Sequence, residues 1–330
     1  MNKIRFEKHS DNPIIKREPG TFRSIHAANP DIIQFRGRYL FYFRGQGDEK
    51  HDQMAVGSCK PEEFDAASWQ MAEENPIIKV SPQPGDCDSA HVLDPAVVVV
   101  NRKVYLYYSA HSLDTNRHSS VALAVSEDGI NFKKYPKNPL IPGIAPEIVY
   151  KDKTFYLFYE RPNLWGQFDI FICPGSDCKH FSTRDERIVF TASGKQGEFD
   201  SFSISTVRIW KEGKWYYMAY GGCGRYIDYP SAIGLARSQD LLRWERYPGN
   251  PVMERGEPGS WDEGGLWFAT VKKLKGVYYL WYEGCGTGMG TAAPEAIEAS
   301  RKAREENYGG YAVTNFSQIG LAVFRGKMSW

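Results

Sequence analysis

The sequence has neither a long apolar run nor an excess of charge of one sign. No stretch approaches the length of a membrane-spanning helix, and the first residues, MNKIRFEKHSDNP, lack the apolar core of a signal peptide. The 330 residues include 41 Lys and Arg against 40 Asp and Glu, which gives no strong attraction to nucleic acid or to a membrane surface. We therefore expect a cytoplasmic protein that binds neither nucleic acid nor a membrane.

Cysteine and the common catalytic motifs are also scarce. Six cysteines in 330 residues do not make a disulfide scaffold, and the closest pair, Cys173 and Cys178, has no common zinc-binding spacing. A nucleotide-binding glycine loop, a nucleophile elbow and a metal-binding helix motif are all absent from the sequence. The sequence therefore predicts a protein in a reducing compartment, without a metal site and without a required cofactor.

Aromatic residues, at 14%, are by contrast abundant, and tyrosine marks an internal repeat. A Tyr-[Leu/Met]-x-Tyr motif occurs five times, at intervals of 51 to 66 residues. The five copies are Tyr39-Leu-Phe-Tyr42, Tyr105-Leu-Tyr-Tyr108, Tyr156-Leu-Phe-Tyr159, Tyr217-Met-Ala-Tyr220 and Tyr279-Leu-Trp-Tyr282. Each copy follows a short turn with charged or Gly residues, and a β-rich segment such as AVVVV precedes the turn. Each unit therefore begins with a β-hairpin.

Each unit then continues into a third and a fourth strand. Asn-Pro ends three of the units, at Asn75-Pro76, Asn138-Pro139 and Asn250-Pro251. Four antiparallel strands repeated five times predict an all-β fold, a five-bladed β-propeller, in a single domain over residues 1–330. Two stacked sandwiches fit poorly, because a sandwich does not need five matching hairpins. The fifth unit lacks an outer strand and Asn-Pro, which occur instead at the chain start, so both chain ends are expected to share the fifth blade.

One segment interrupts the repeat within the fifth unit. The stretch PEAIEASRKAREEN, inside an insertion at about 286–311, predicts a single exposed helix with Pro294 in its first turn. The insertion is interpreted either as a surface decoration or as a lid or oligomer contact beside the mouth of the pocket.

Acidic residues are concentrated in the links that lead into the inner strands. In a propeller these links approach the central axis, so their side chains are expected to converge. Three of these links can be aligned on a shared Pro. Asp94 directly precedes its Pro, whereas Asp31 and Glu147 directly follow theirs. In an extended strand these two positions project to the same side, which predicts three convergent carboxylates. Carboxylates held close together raise at least one pKa and so supply the acid and the base that bond hydrolysis requires.

The stretches DPAVVVVNRKVYLYYS and APEIVYKDKTFYLFYE resemble glycoside hydrolases with five-bladed propellers, of families 43, 62, 32, 68, 117 and 130. Families 32 and 43 imply an Asp in a first-blade Asp-Pro motif, a second Asp that orients or tunes, and a Glu proton donor. Asp94 before Pro95 matches the Asp-Pro motif. The first blade instead has Asn29-Pro30, and Glu147 follows its Pro whereas the family's donor usually precedes it. A second alignment therefore stays open, with Asp94 as base, Asp200 as modulator and Glu263 as acid.

Further residues of the same links are candidates for binding a substrate. They are Arg23, His26, Asn29, Asp88, His91, Trp261, Asp262 and Trp267. The histidines suit sugar hydroxyls better than a metal ion, and the tryptophans suit either a sugar ring or the core. Arg23 suits a substrate carboxylate or phosphate, or it neutralises acidic neighbours. A Gly-x-[Cys/Phe/Trp]-Asp pattern ends at Asp88, Asp200 and Asp262, and its repetition also fits a structural turn.

Three functions follow from the resemblance and the acidic links. The first is a glycosidase that removes chain-end sugars, with furanosides such as arabinofuranosides as the implied substrate and an oligosaccharide or glycoside as the partner. The second is a phosphorylase, in which phosphate replaces water and is held by a cationic cluster for which Arg23, Arg44 and His26 are the candidates. The third is a carbohydrate-binding propeller without catalysis. The resemblance also allows a calcium ion in the axial channel, although no ligand set in this sequence requires one.

Overall fold

The computed structural model describes residues 3–224, 230–286 and 316–330, which form the five antiparallel sheets of a five-bladed β-propeller. The predicted all-β propeller is therefore confirmed. None of the described residues lies in a helix. Nowhere in these ranges is there a helix long and apolar enough to cross a membrane. The helix predicted within about 286–311 lies outside the described residues, because Gly286 ends a strand and the description resumes at 316.

One compact unit, Glu18–Arg161 with Ile170–Ile188, contains blades 1 and 2 and most of blade 3. Blade 1 is β2 (His26–Phe35), β3 (Arg38–Gln46), β4 (Asp52–Cys59) and β5 (Gln70–Met71). Blade 2 is β6 (His91–Val100), β7 (Lys103–His111), β8 (Ser120–Ser126) and a divided outer strand, β9 (Phe132–Lys134) and β10 (Ile141–Pro142). Blade 3 is β11 (Ile144–Lys151), β12 (Thr154–Pro162), β13 (Phe168–Gly175) and β14 (Arg187–Phe190).

The second compact unit, Met1–Arg17 with Pro162–Asp169 and Val189–Trp330, contains blades 4 and 5. Blade 4 is β15 (Ser203–Glu212), β16 (Trp215–Cys223), β17 (Ala232–Ser238) and a divided outer strand, β18 (Glu245–Arg246) and β19 (Met253–Glu254). Blade 5 is β20 (Gly265–Leu274), β21 (Val277–Gly286), β22 (Phe316–Phe324) and β1 (Glu7–Lys8). Because β1 pairs with β22, the predicted sharing of blade 5 by both chain ends is confirmed. The prediction of one domain stays a prediction.

The hydrophobic core lies between neighbouring blades. Apolar side chains of blades 1 and 2 form one cluster, which includes Leu40, Tyr42, Val56 and Leu106. Side chains of blades 2 and 3 form another, and those of blades 4 and 5 a third. Burial of such apolar surface contributes about 25 cal/mol per Å², and it is the main force that holds the sheets of each unit together.

Each Asn of the four Asn-Pro pairs that accompany an outer strand binds the backbone of its blade's third strand. Asn250 Oδ1 accepts the N–H of Leu235 at 2.8 Å, and its Nδ2 donates to the carbonyl oxygen of the same residue at 2.9 Å. Asn12, Asn75 and Asn138 make the same pair of bonds to Leu321, Val56 and Leu123. The Asn side chain thus replaces the backbone of a fourth strand at the point where the outer strand is interrupted. This bonding explains why the pair recurs in the sequence.

A buried Asp, a Tyr and a cation form a second repeated cluster. In blade 4, Asp200 Oδ2 accepts the Tyr220 hydroxyl at 2.9 Å and pairs with Nε of Arg246 at 2.7 Å. Asp88 has Tyr108 and Lys134 as its equivalent partners, and Asp262 has Tyr282 and Lys8. Burial and the adjacent carboxylate raise the pKa of each of these tyrosines well above its usual value, so each hydroxyl keeps its proton and donates.

Blade 1 departs from the repeat by one residue. Tyr42 pairs with Asp31, whereas it is Tyr107 that pairs with the equivalent Ala96 in blade 2. Tyr42 is therefore the counterpart of Tyr107, and the predicted equivalence of Tyr42 and Tyr108 is wrong by one position. The hydrogen bonds agree, because the Tyr42 and Tyr107 hydroxyls both donate to a backbone carbonyl of the following blade, that of Gly129 and of Cys178.

The two hydrogen bonds from an Asn-Pro asparagine to the third strand, here called the Asn clamp, predict that two Asn substitutions differ in their effect on stability. Asn250→Ala should lower the free energy of unfolding by about 2–4 kcal/mol, because the buried backbone N–H and carbonyl of Leu235 lose their partner. Exposed Asn116, which is hydrogen-bonded to Asp114 within its own turn, is the control. Asn116→Ala should change the free energy of unfolding by less than about 0.5 kcal/mol. Urea unfolding measures both, and equal effects of the two changes would contradict the clamp.

Candidate functional site

Every inner strand contains a β-bulge at the same position. The register with the second strand shifts at Ala28/Asp31 in β2, Leu93/Ala96 in β6 and Ile144/Glu147 in β11, and likewise in β15 and β20. The first bulged residue has a positive φ in all five blades: Asn29 (53°), Asp94 (56°), Ala145 (49°), Thr206 (54°) and Phe268 (49°). Such a conformation is costly for β-branched Thr206 and for bulky Phe268. Strain of this kind and bulges both concentrate at functional sites, where they turn a side chain in a new direction.

Side chains of the preceding blade hold three of the bulges. Asp31 Oδ2 accepts the N–H of Val97, just beyond the bulge of β6, at 2.8 Å. Ser109 Oγ accepts the N–H of Ala145 at 2.8 Å, and Thr206 Oγ1 accepts the N–H of Phe268 at 3.1 Å. Neighbouring blades are therefore tied together at or just beyond the bulge, which fixes the position of the side chains around it.

The three predicted carboxylates lie on inner strands that contact one another in sequence, β2 with β6 and β6 with β11. Asp31 is buried, and its Oδ1 also accepts the N–H of Ile32 at 2.8 Å. Asp94 lies in the bulge and is partly exposed, and Glu147 follows its bulge and is buried. The prediction that positions before and after the Pro project to the same side of an extended strand is wrong, because the bulge interrupts the extended backbone there.

Two buried acids near the bulges were missed from the sequence. Glu160, 2% exposed, pairs with Ile144 across blade 3, and Glu283, 4% exposed, pairs with Trp267 across blade 5. Paired residues project to the same face of a sheet, and Glu147 pairs with Phe158, two residues from Glu160. Glu147 and Glu160 therefore share one face of blade 3. Their position in the sequence could have indicated both missed acids, because each directly follows a Tyr-Leu-x-Tyr motif.

A charged cluster at the start of β4 and β6 was also missed as a cluster, although Arg44 and His91 were separate candidates from the sequence. Asp52, 3% exposed, forms an ion pair with Arg44, and its Oδ2 lies 2.8 Å from Nδ1 of His91 and accepts Nε2 of Gln46 at 2.9 Å. Burial alone would raise the pKa of Asp52, but Arg44 and His91 outweigh it and hold the pKa well below its usual range. Three polar side chains, those of Arg44, Gln46 and His91, thus surround a buried carboxylate, which makes this end of blades 1 and 2 a candidate binding surface.

His111 lies opposite His91 in the register of blade 2, with the ring centroids 6.0 Å apart. Its Nδ1 lies 3.4 Å from the Ser119 hydroxyl. Burial, followed by the neighbouring His91, lowers the pKa of His111 to about 4. His111 is therefore neutral at pH 7 and adds no positive charge to the surface.

The other predicted binding residues occupy varied places. Asp88, Asp200 and Asp262 belong to the repeated Asp-Tyr-cation cluster described above, and Arg23 forms an ion pair with Glu18. Glu263 is fully buried and accepts the N–H of Gly259 at 2.7 Å. Asn29 is the buried bulge residue of β2, and His26 begins that strand, partly exposed. Trp261 packs on Tyr282 within the core of blades 4 and 5, whereas Trp267 is partly exposed on β20.

Metal binding has no support from the side-chain geometry of the described residues. Within residues 3–224, 230–286 and 316–330, no three or more His, Cys, Asp and Glu side chains are grouped so as to hold a metal ion. All six cysteines are free, and five of them are buried.

The chain is similar in structure to several solved proteins. An N-acetylgalactosamine deacetylase from F. plautii, in complex with blood group B trisaccharide, is 16% identical with a TM-score of 0.69, over 97% of this chain and 95% of that one. A glycosyl hydrolase from Bacteroides ovatus is 15% identical with a TM-score of 0.69, over 100% and 96%. A β-1,2-mannobiose phosphorylase from Listeria innocua, in complex with β-1,2-mannobiose, is 14% identical with a TM-score of 0.67, over 98% and 97%.

Sequence comparison adds nothing to these likenesses: no protein-family model and no curated protein matches the chain. Identities of 14–16% show a common fold and no more. The predicted resemblance to five-bladed propellers of glycoside hydrolases is confirmed at that level.

The low pKa of His111 predicts a pH-dependent loss of stability. The unfolded chain binds a proton at this residue near pH 6.5, but the folded chain does so only near pH 4, so the free energy of unfolding falls as the pH drops through that window. The loss is about 3 kcal/mol. His111→Gln should flatten the curve of stability against pH between 6.5 and 4, whereas His118→Gln, at an exposed position, should leave the wild-type slope. Equal slopes in all three proteins would contradict the burial of a neutral His111.

Proposed function

We propose that this protein is a glycoside hydrolase whose site lies at the bulges of β2, β6 and β11. The observation that carries the proposal is the bulge of β6, which leaves Asp94 partly exposed on a strand that contacts β11, where Glu147 follows an equivalent bulge. One carboxyl group would protonate the leaving oxygen, and the other would activate water or attack the sugar directly. Asp31 would hold β2 and β6 in register rather than react, because both its oxygens accept backbone N–H groups.

Carbohydrate is the proposed substrate class for two reasons. The three solved structures with the same fold are named for enzymes of carbohydrates, which supports the class by analogy. Polar side chains of blades 1 and 2, above all the partly exposed His91, would supply hydrogen bonds to sugar hydroxyls. Within this class we propose removal of a terminal furanoside such as arabinofuranose, as the resemblance of the sequence implies.

The ion pairs of the candidate arginines favour hydrolysis over phosphorolysis. A phosphorylase needs positive charge to hold a phosphate ion. Of the two arginines suited to that role, Arg44 is paired with Asp52 and Arg23 with Glu18, so their charge is already compensated by carboxylates. Water is therefore the proposed acceptor of the sugar.

The proposal is tested with purified protein and a panel of aryl glycosides. Asp94→Asn and Glu147→Gln should each lower kcat by about 10²–10⁴-fold, because each removes one half of the acid and base pair. Asp152→Asn is the matched control, since Asp152 is an exposed acid in the turn at the other end of β11 and its positive φ of 49° suits Asn. This control should keep wild-type kcat.

The same assay tests the sugar and the acceptor. Aryl arabinofuranosides should be turned over faster than aryl pyranosides, and added phosphate should neither speed the reaction nor yield a sugar phosphate. Wild-type kcat in both site variants would contradict the role of Asp94 and Glu147. Sugar binding without turnover by the wild-type protein would favour a binding propeller instead.

A further inference from the structure

Asp52 is a carboxylate whose two oxygens are both engaged at the site. Oδ1 receives the guanidinium of Arg44, while Oδ2 faces Nε2 of Gln46 at 2.9 Å and Nδ1 of His91 at 2.8 Å. Asp52 begins β4 and is only 3% exposed, so its charge is removed from water. The cost of burying that charge is compensated by these partners. A pair of this kind adds little net stability compared with apolar residues of similar size. Its presence at the start of β4 therefore invites a functional explanation.

The contact between Asp52 and His91 determines which ring nitrogen carries the proton. A carboxylate can only accept, so a 2.8 Å contact requires a hydrogen atom on Nδ1 of His91. The backbone N–H of Asp52 also lies 3.3 Å from the same Nδ1, which would require a lone pair there. The shorter contact to a charged acceptor is the stronger bond and decides between the two. Nδ1 therefore holds the proton, and Nε2 of the neutral ring holds the lone pair.

The direction of Nε2 follows from the shape of the ring. The two nitrogens of an imidazole point to different sides, so an Nδ1 that faces buried Asp52 leaves Nε2 directed away from it. The His91 side chain is 33% exposed, and His91 begins β6 three residues before Asp94. The ring centroids of His111 and His51 lie 6.0 Å and 6.4 Å from that of His91. The Nε2 edge of the His91 ring thus lies at the end of β6 that also contains the bulge.

We propose that Asp52 is a positioning residue that fixes the tautomer of His91, so that Nε2 of His91 accepts a hydrogen bond from a hydroxyl of the bound sugar. The inference rests on the proposed function and deepens it. Asp52 does not touch the substrate but acts through His91, in the way that a carboxylate orients the histidine of a catalytic or metal site. The arrangement selects a ligand with a hydroxyl donor at this point over a deoxy sugar or a methyl ether.

The tautomer is measured by NMR on the intact protein labelled with ¹⁵N in histidine, near neutral pH. In the neutral form of its ring, His91 of the wild-type protein should carry the proton on Nδ1. Asp52→Asn should raise the fraction with the proton on Nε2, because an amide can face Nδ1 with either a donor or an acceptor. A wild-type ring with the proton on Nε2 would overturn the proposal. This readout needs no turnover, so it stands even where the proposed hydrolysis fails.

The contact with the sugar is measured by the separation of KM from kcat. His91→Leu should raise KM for the best aryl glycoside by roughly 3- to 10-fold, which is the loss of one neutral hydrogen bond, with little change in kcat. His91→Gln keeps an acceptor and should recover part of that loss. A purely structural role would lower the stability of both variants and leave KM unchanged. An unchanged KM in His91→Leu would therefore overturn the proposal while leaving the hydrolase itself intact.

Discussion

The bulge of the inner strand is the constraint on which the site depends. In a regular extended strand, successive side chains project to opposite faces of the sheet, and the part of β6 beyond the bulge follows this alternation. The extra residue at Asp94 breaks the alternation, so Leu93 and Asp94 are adjacent and both partly exposed. The left-handed backbone is held by the neighbouring blade, as in the bond from the N–H of Ala145 to Ser109. The bulge that is held by the neighbouring blade is thus the same feature that leaves Asp94 partly exposed.

Acidic residues serve two purposes in this chain, and their partners distinguish them. Asp88, Asp200 and Asp262 each join a tyrosine and a cation of the same unit, and they recur because each of these blades needs the same cluster. Asp52 and Asp94 have no such counterparts in the repeat. Asp52 instead binds arginine, glutamine and histidine at the start of its strand. Departure from the repeat, rather than acidity, therefore distinguishes the residues to which we propose a separate role.

The sequence was sufficient to predict the fold, because its periodic features are structural. Asn-Pro recurs since each Asn binds a third-strand backbone, and the sharing of blade 5 followed from the missing outer strand. Of the candidate site, the sequence indicated some residues and not their surroundings. Asp94 and Glu147 were found beside Pro, but the bulge that sets their direction has no residue type in common across the five blades. Arg44 and Asp52 were missed as a pair because a contact between two strands is not visible in spacing along the chain.

The most direct test of this account is a crystal structure of the Asp94→Asn variant with an aryl arabinofuranoside bound. The account predicts that the sugar lies against the bulges of β6 and β11, with its glycosidic oxygen within hydrogen-bonding distance of Glu147 or of the side chain at position 94. A sugar bound away from both bulges would contradict the central claim that they form the site.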